Sequence, residues 1–172
     1  MSQHELYEQA VVAFGPALER LVRGYEADPD KRRDLLQEIH LAIWRSFELF
    51  AAQCSLRTWV YRVAHNVAAS HVLRHRRARL RPLVSLEEAE FLSGPADADA
   101  SIDRQSAIDQ LYAFIEQLNP LDREVILLYL EESDAASIGE ITGISRGNVA
   151  TKIHRIKKVL ADRFREGGRH GR

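Results

Sequence analysis

The chain has one cysteine, Cys54, among 172 residues. That excludes an internal disulfide framework and a cysteine-based zinc site. No apolar run approaches the roughly 20 residues that a membrane-spanning helix needs. The opening residues, MSQHELYEQ, are polar and lead to no cleavage site. A cytoplasmic setting without membrane insertion is therefore expected. No segment alternates apolar and polar residues as a half-buried strand does, and no internal repeat is present. Net charge is nearly absent as well, at −1, while apolar residues reach 45%. Those two figures exclude a uniformly basic tail and a highly charged disordered chain, and they allow a packed core.

The small total conceals an uneven distribution. Residues 56–81 contain 7 arginines and no acid, and residues 145–172 contain 9 basic residues against 2 acidic ones, so each block is net +7. Residues 1–55, 82–104 and 105–144 are net −3, −5 and −7. Two cationic blocks set apart by acidic ones point to contact with a polyanion at two places.

Almost every patterned segment has helical period. Leu6, Phe14, Leu18, Leu21 and Tyr25 predict a first helix, ended near Asp28-Pro29. Leu35, Ile39, Ile43 and Phe47 predict a second, and residues 51–55 read as a loop. In the third, Leu56, Val60, Val63 and Val67 form the expected apolar stripe, with Thr58, Tyr61, Arg62, His65 and Ala69 on the opposite face. Ser85 and Glu88 form a capping box for a short helix, and residues 93–101 read as a linker. Ile108, Leu111, Tyr112, Ile115 and Leu118 open the second half, with Asn119-Pro120 starting the next helix. The expected fold is all-α: two small helical domains, 1–81 and 105–166, joined by a flexible acidic linker at 82–104, with a tail at 167–172.

Residues 135–155, AASIGEITGISRGNVATKIHR, have the grammar of a helix-turn-helix. Gly139 sits where two helices must approach, and Gly143 where the turn needs a left-handed residue. In the last helix Val149, Ile153, Ile156 and Leu160 make an apolar stripe. Asn148, Thr151, His154, Arg155 and Lys158 face the other way, with Lys152 on the flank, and such side chains bond base edges and phosphates. The block 56–81 places Arg and Tyr on one helical face, which suits phosphates together with bases stacked on aromatics. Trp59 lies beside that face and would by itself read as core.

At this point the two blocks resemble a known family. DLLQEIHLAIWRSF (34–47) followed by SLRTWVYRVAHNVAASHVLRHRR (55–77) is similar to domain two of the sigma-70 family, most of all to its small extracytoplasmic-function (ECF) type. Residues 118–160, LNPLDREVILLYLEESDAASIGEITGISRGNVATKIHRIKKVL, resemble its domain four. The resemblance implies an RNA polymerase sigma factor that binds core polymerase and reads −35 and −10 promoter elements, with no catalytic activity, cofactor or metal. Asp34, Gln37, Glu38, Leu41 and Trp44 would grip the β′ clamp. Arg57, Trp59, Tyr61, Arg62, His65, Asn66, Arg74, Arg76 and Arg77 would read and open the −10 element as single strands. The loop 51–56, which holds Cys54, would capture a flipped base. Ser145, Arg146, Asn148, Thr151, Lys152, Arg155 and Lys158 would read the −35 duplex. An anti-sigma factor is a further implied partner. The chain departs from the family pattern at His40 and Leu56, where aromatics are common, and at Ala150, where Lys is frequent.

Two other functions fit parts of the chain. A stand-alone helix-turn-helix regulator accounts for residues 118–165 but not for the acid-free block. A nucleic-acid enzyme using metal would need carboxylates beside the phosphate, and residues 56–81 offer none. His71 and His75 are four apart on a helix but lack a third ligand nearby, so phosphate contact, or packing for His71, is the better expectation.

Overall fold

The structure, a computed structural model, describes residues 1–75, 82–92 and 104–164. All regular elements among them are helical, apart from an isolated parallel bridge between Val84 and Leu118. The expected arginines at 76 and 77 and the linker stretch 93–101 lie outside the described residues.

Helix α1 (Gln3–Tyr25) starts on a capping box: the Glu5 amide donates to Ser2 Oγ at 3.3 Å and the Ser2 amide to Glu5 Oε2 at 2.7 Å. Helix α2 (Pro29–Ser46) starts with Asp28 accepting from the amides of Asp30 and Lys31, and Pro29 takes the first position, where no amide is missed. Its stripe of Leu35, Ile39, Ile43 and Phe47 is buried. A 3-10 turn (Phe47–Leu49) and a loop lead to α3 (Leu56–His75), whose first turn is capped by Ser55 Oγ accepting from the Thr58 amide at 3.0 Å. These three helices pack on one another.

The second half contains α4 (Leu86–Leu92), α5 (Arg104–Ile115), α6 (Pro120–Leu130), α7 (Ala135–Thr142) and α8 (Arg146–Phe164). Asn119 caps α6 and Asp134 caps α7 through side-chain oxygens. Gly143 ends α7 at φ +78°, the left-handed turn that glycine adopts without penalty. A Cβ on Gly139 would meet the Ile144 carbonyl at 3.0 Å, so the close helix crossing requires its absence.

The acidic segment at 82–92, expected to belong to the linker, is packed on the second half. Val84 donates to the Gln117 carbonyl and accepts from the Asn119 amide, both at 2.9 Å. Leu86 and Ala89 are buried, and the Leu86 amide donates to Asp122 Oδ2 at 2.8 Å. The Ser85–Glu88 capping box forms as its sequence predicts.

The two halves share a buried seam. Arg123, 2% exposed, reaches from α6 to the carbonyls of Gly24 and Tyr25 at the end of α1, and to those of Glu116 and Leu118 after α5. A guanidinium suits this place, because the carboxyl ends of two helices offer unpaired carbonyls with partial negative charge. Gly24 lets Leu127 seat against α1; a Cβ there would fall 2.7 Å from Leu127 Cδ1. At the rim, Arg20 forks onto Glu131 at 2.5 and 2.8 Å, and Arg23 meets Asp109 at 2.5 Å.

Candidate nucleic-acid interface

Three helices carry the expected contacts, and they are presented differently. On α2, Asp34, Gln37, Glu38, Leu41 and Trp44 are all exposed along one face, with Leu41 at 48% and Trp44 at 39% exposure. Leu41 and Trp44, one turn apart, form a small apolar spot within that polar stripe. The stripe borders a groove of about 490 Å³ between α2 and α3, lined by Glu38, Leu41, Asn66 and Arg74 among others. Arg74 bridges that groove to Glu38 at 3.2 Å.

The buried arc of α3 is not the one expected. Thr58, Val60, Tyr61, Ala64, His65, Ala68, His71 and Val72 are buried on one continuous arc. At 100° per residue the buried arc is turned by roughly a quarter turn from the predicted stripe. The physical reason is that α1 packs on the side that reads as polar, with Phe14 against Tyr61 and Tyr25 against His65, and that α6 and α7 also touch α3. Tyr61 and His65 are 3% and 2% exposed, so this arrangement closes them to solvent. Arg57 Nη2 donates to Ser133 Oγ at 2.8 Å and to the Glu131 carbonyl at 3.4 Å. Arg62 donates to the Glu140 carbonyl through Nε at 3.0 Å and through Nη2. Trp59 is half-buried, its Nε1 donating to Ser46 Oγ at 2.8 Å and its ring lying 5.3 Å from that of Phe50. Asn66 and Arg74 are exposed.

Burial pushes the His65 imidazole down to about 3. The tautomer that satisfies most groups has His65 Nδ1–H donating to the Tyr25 hydroxyl at 2.7 Å, with that hydroxyl donating to the Pro120 carbonyl at 3.4 Å. Nε2 is then a buried acceptor without a partner. His71 lies buried 2.8 Å from Glu26, and His75 Nδ1 donates to the His71 carbonyl at 2.8 Å. Packing is therefore the role the structure gives His71. Among the described residues no His, Cys, Asp and Glu cluster could hold a metal ion. In the loop before α3, Ala52 takes φ +54°, a left-handed conformation costing an alanine about 1 kcal/mol.

Helix α8 presents an open end and an occupied edge. Ser145, Arg146, Asn148 and Thr151 are exposed, with Ser145 Oγ accepting from the Asn148 amide. Val149, Ile156 and Val159 are buried. Lys152 donates to Asp122 Oδ1 at 2.5 Å and lies 3.6 Å from Glu87. Arg155 pairs with Glu87 and lies 3.6 Å from Glu90, and Lys158 donates to Glu90 at 2.6 Å. That hydrogen bond holds the Glu90 carboxyl below, and the Lys158 ammonium above, their ordinary values.

Sequence reasoning missed the residues of the seam. Arg20, Arg23 and Arg123 have no local motif, although Arg123 is the one basic residue between 105 and 144, which is a compositional sign of a dedicated partner. Asp122, 1% exposed, accepts from Leu86, Asn119 and Lys152, so it ties α4, α6 and α8 together.

Two family models match the chain, "Sigma-70 region 2" over residues 10–78 and "Sigma-70, region 4" over residues 108–160. The ECF RNA polymerase sigma factor SigG of Mycobacterium tuberculosis is 30% identical over 148 residues, covering 74% of this chain. The aligned part is 40% of the length of SigG, so the chain spans less than half of that relative. The ECF RNA polymerase sigma factor SigW of Bacillus subtilis is 28% identical over 144 residues, covering 77% of this chain and 75% of SigW. The sigma factor RpoE of Bartonella quintana, solved in complex with the anti-sigma factor NepR, matches with a TM-score of 0.64 at 18% identity. That match covers 96% of this chain and 98% of RpoE, and it shows a shared fold.

Proposed function

Because the chain belongs to the sigma-70 family, with regions 2 and 4 in order on one polypeptide, we propose that it is an RNA polymerase sigma factor of the ECF type. In this reading it joins core polymerase, directs promoter-specific initiation and has no catalytic activity of its own. The observation that carries the proposal is the ordered pair of regions, residues 10–78 and 108–160. A stand-alone helix-turn-helix regulator would leave the first region without a purpose. The place of work is the bacterial cytoplasm, where polymerase is. In keeping with that, no helix of the described residues is long and apolar enough to cross a membrane.

The exposed stripe Asp34, Gln37, Glu38, Leu41 and Trp44 supports a clamp contact. The open end of α8, with Ser145, Arg146, Asn148 and Thr151, supports reading the −35 duplex; Lys152, Arg155 and Lys158 complete the proposed set at its edge. For the −10 element we propose Arg57, Trp59, Tyr61, Arg62, His65, Asn66 and Arg74, with Arg76 and Arg77 from outside the described residues. Arg57 and Arg62 are held by Ser133 and by the Glu131 and Glu140 carbonyls of the second half, so freeing them for the −10 strand requires the second half to leave α3, whereas Tyr61 and His65 also pack on Phe14 and Tyr25 of α1. An anti-sigma factor is a proposed partner, in keeping with the complex of RpoE with NepR.

The test is binding to core polymerase. Replacing Leu41 and Trp44 together by Ala, two partly exposed side chains outside the buried core, is expected to weaken binding at least about tenfold, as loss of interface anchors does. The thermal midpoint should stay unchanged. Binding unchanged by the double variant, or no binding by the unmodified chain, would overturn the proposal.

A further inference from the structure

The short acidic helix α4 lies along α8 in parallel register, with Glu87 set between Lys152 and Arg155 and Glu90 set between Arg155 and Lys158. Two carboxylates three residues apart share a helix face, and each meets two cations. Side-chain exposure of those cations rises along the ladder, from 16% at Lys152 to 34% at Arg155 and 56% at Lys158. Lys152 is also claimed by the buried carboxylate of Asp122, 2.5 Å away. Phosphate can therefore reach Arg155 and Lys158 more readily than Lys152, which Asp122 must also release.

Two further features mark the carboxylates of α4 as occupants that can be displaced while its start stays fixed by Leu86 and Asp122. Its apolar hold is Leu86 and Ala89, while Phe91 and Leu92, which close the helix, are 91% and 69% exposed. The outer ion pairs are partly solvated, and such pairs contribute about 0–1 kcal/mol each. DNA offers the same cations phosphate oxygens, along with release of condensed counterions.

Resting on the sigma-factor reading above, we propose that α4 is a built-in competitor of the −35 phosphate backbone. Glu87 and Glu90 occupy Arg155 and Lys158 until promoter phosphates take their place. The open end of α8, carrying Arg146, Asn148 and Thr151, is untouched by α4 and remains free to test base edges. Affinity for non-promoter DNA is thereby suppressed, because phosphate contact supplies nearly all of non-specific binding. Base contacts from the open end are needed to favour the exchange.

The competition does not depend on sequence, so a short mixed-sequence DNA duplex serves as the probe, with the full chain followed by fluorescence anisotropy across salt concentrations. E87Q/E90Q is expected to bind about tenfold tighter at low salt. Its log–log salt dependence should be steeper by about two, one for the phosphate on Arg155 and one for that on Lys158. E88Q removes one charge from the same helix, as E90Q alone does, but the carboxylate it removes touches Ser85 rather than α8. It should stay within about twofold of the unmodified chain, since it frees neither cation for a phosphate. Should the double variant fail to fold, E90Q alone carries the test, with binding tighter by about threefold and a slope change of about one. The inference is overturned if E87Q/E90Q binds no tighter, or if E88Q tightens binding as much. Such a result with start-site selection by core polymerase intact would leave the sigma-factor reading standing. Loss of that selection would instead overturn the reading.

Discussion

Helices α3 and α8 come from sequence blocks of the same net charge, +7 each, yet the fold occupies their cations in different ways. On α3, Arg57 and Arg62 donate to carbonyls and a hydroxyl of the second half, and Thr58, Val60 and Tyr61 between them are buried. On α8 the occupied cations meet carboxylates of a seven-residue helix, and the first turn stays open. Freeing α3 means separating two packed halves and exposing apolar surface. Freeing the edge of α8 means exchanging solvated ion pairs. On the proposed reading, the −10 contacts of α3 are closed by packing, which a large partner such as polymerase would reverse, and the −35 phosphate contacts of α8 are closed by charge, which DNA itself would reverse.

The largest effect is expected where both halves are held at once. Arg123 joins the ends of α1 and α5 through four carbonyls. Its replacement by Met leaves those carbonyls buried and unpaired, and should cost about 3 kcal/mol or more in urea unfolding. Hydrogen exchange should rise in α3 and in α6. A loss confined to one half would break the idea of a shared seam.

The next effect separates the cover of α3 from the edge of α8. Glu124 lies in α6, and burial pushes its carboxyl up from 4.5 to about 7. Its folded form prefers the proton, so it adds stability at low pH that is lost as pH rises from 4.5 towards 7. His65, pushed down from 6.5 to about 3, does the reverse: its contribution is present above 6.5 and is lost as pH falls. Between 4.5 and 6.5 the two slopes oppose each other. Glu124→Gln should remove the first slope. The variant is then about 2 kcal/mol more stable than the unmodified chain at about pH 8 and level with it near about pH 4.5. A stability difference between the two proteins that does not change with pH would contradict the burial of Glu124.

A smaller change should open α3 alone. Arg57→Gln with Arg62→Gln removes the hydrogen bonds to Ser133, Glu131 and Glu140, costing about 1–2 kcal/mol. Faster exchange at Tyr61 and His65 is expected, with α8 unchanged. The smallest acts on α8 alone: Gly143→Ala forces a side chain into φ +78° and should cost about 1 kcal/mol. It should loosen the α7–α8 turn and leave exchange in α3 as it was.

Much of the fold is legible in the sequence, for identifiable reasons. The stripe of α2, the capping of α4 and α6, and the turn at Gly139 and Gly143 are local patterns that follow from helix geometry. The face of α3 is not legible, because its buried arc includes Thr58, Tyr61 and His65, residues that in sequence read as a polar, DNA-facing surface, and whose partners Phe14 and Tyr25 lie far away in the chain. The pairing of Glu87 and Glu90 with α8 joins positions 68 residues apart, and only the alternation of acidic and basic blocks hints at it. The −5 segment reads as acidic but not as a docked helix, since Leu86 and Ala89 alone give no periodicity.

The central claim is that the two regions act together as a promoter reader for polymerase, and transcription with purified core polymerase tests it most directly. Templates from a random-upstream library are transcribed with and without the protein, and the start sites are mapped. The account predicts discrete starts that require the protein and share two upstream sequence blocks, with Asn148→Ala altering the upstream block and Asn66→Ala the downstream one. Starts that ignore the protein, together with tight sequence-specific duplex binding by the isolated chain, would contradict it.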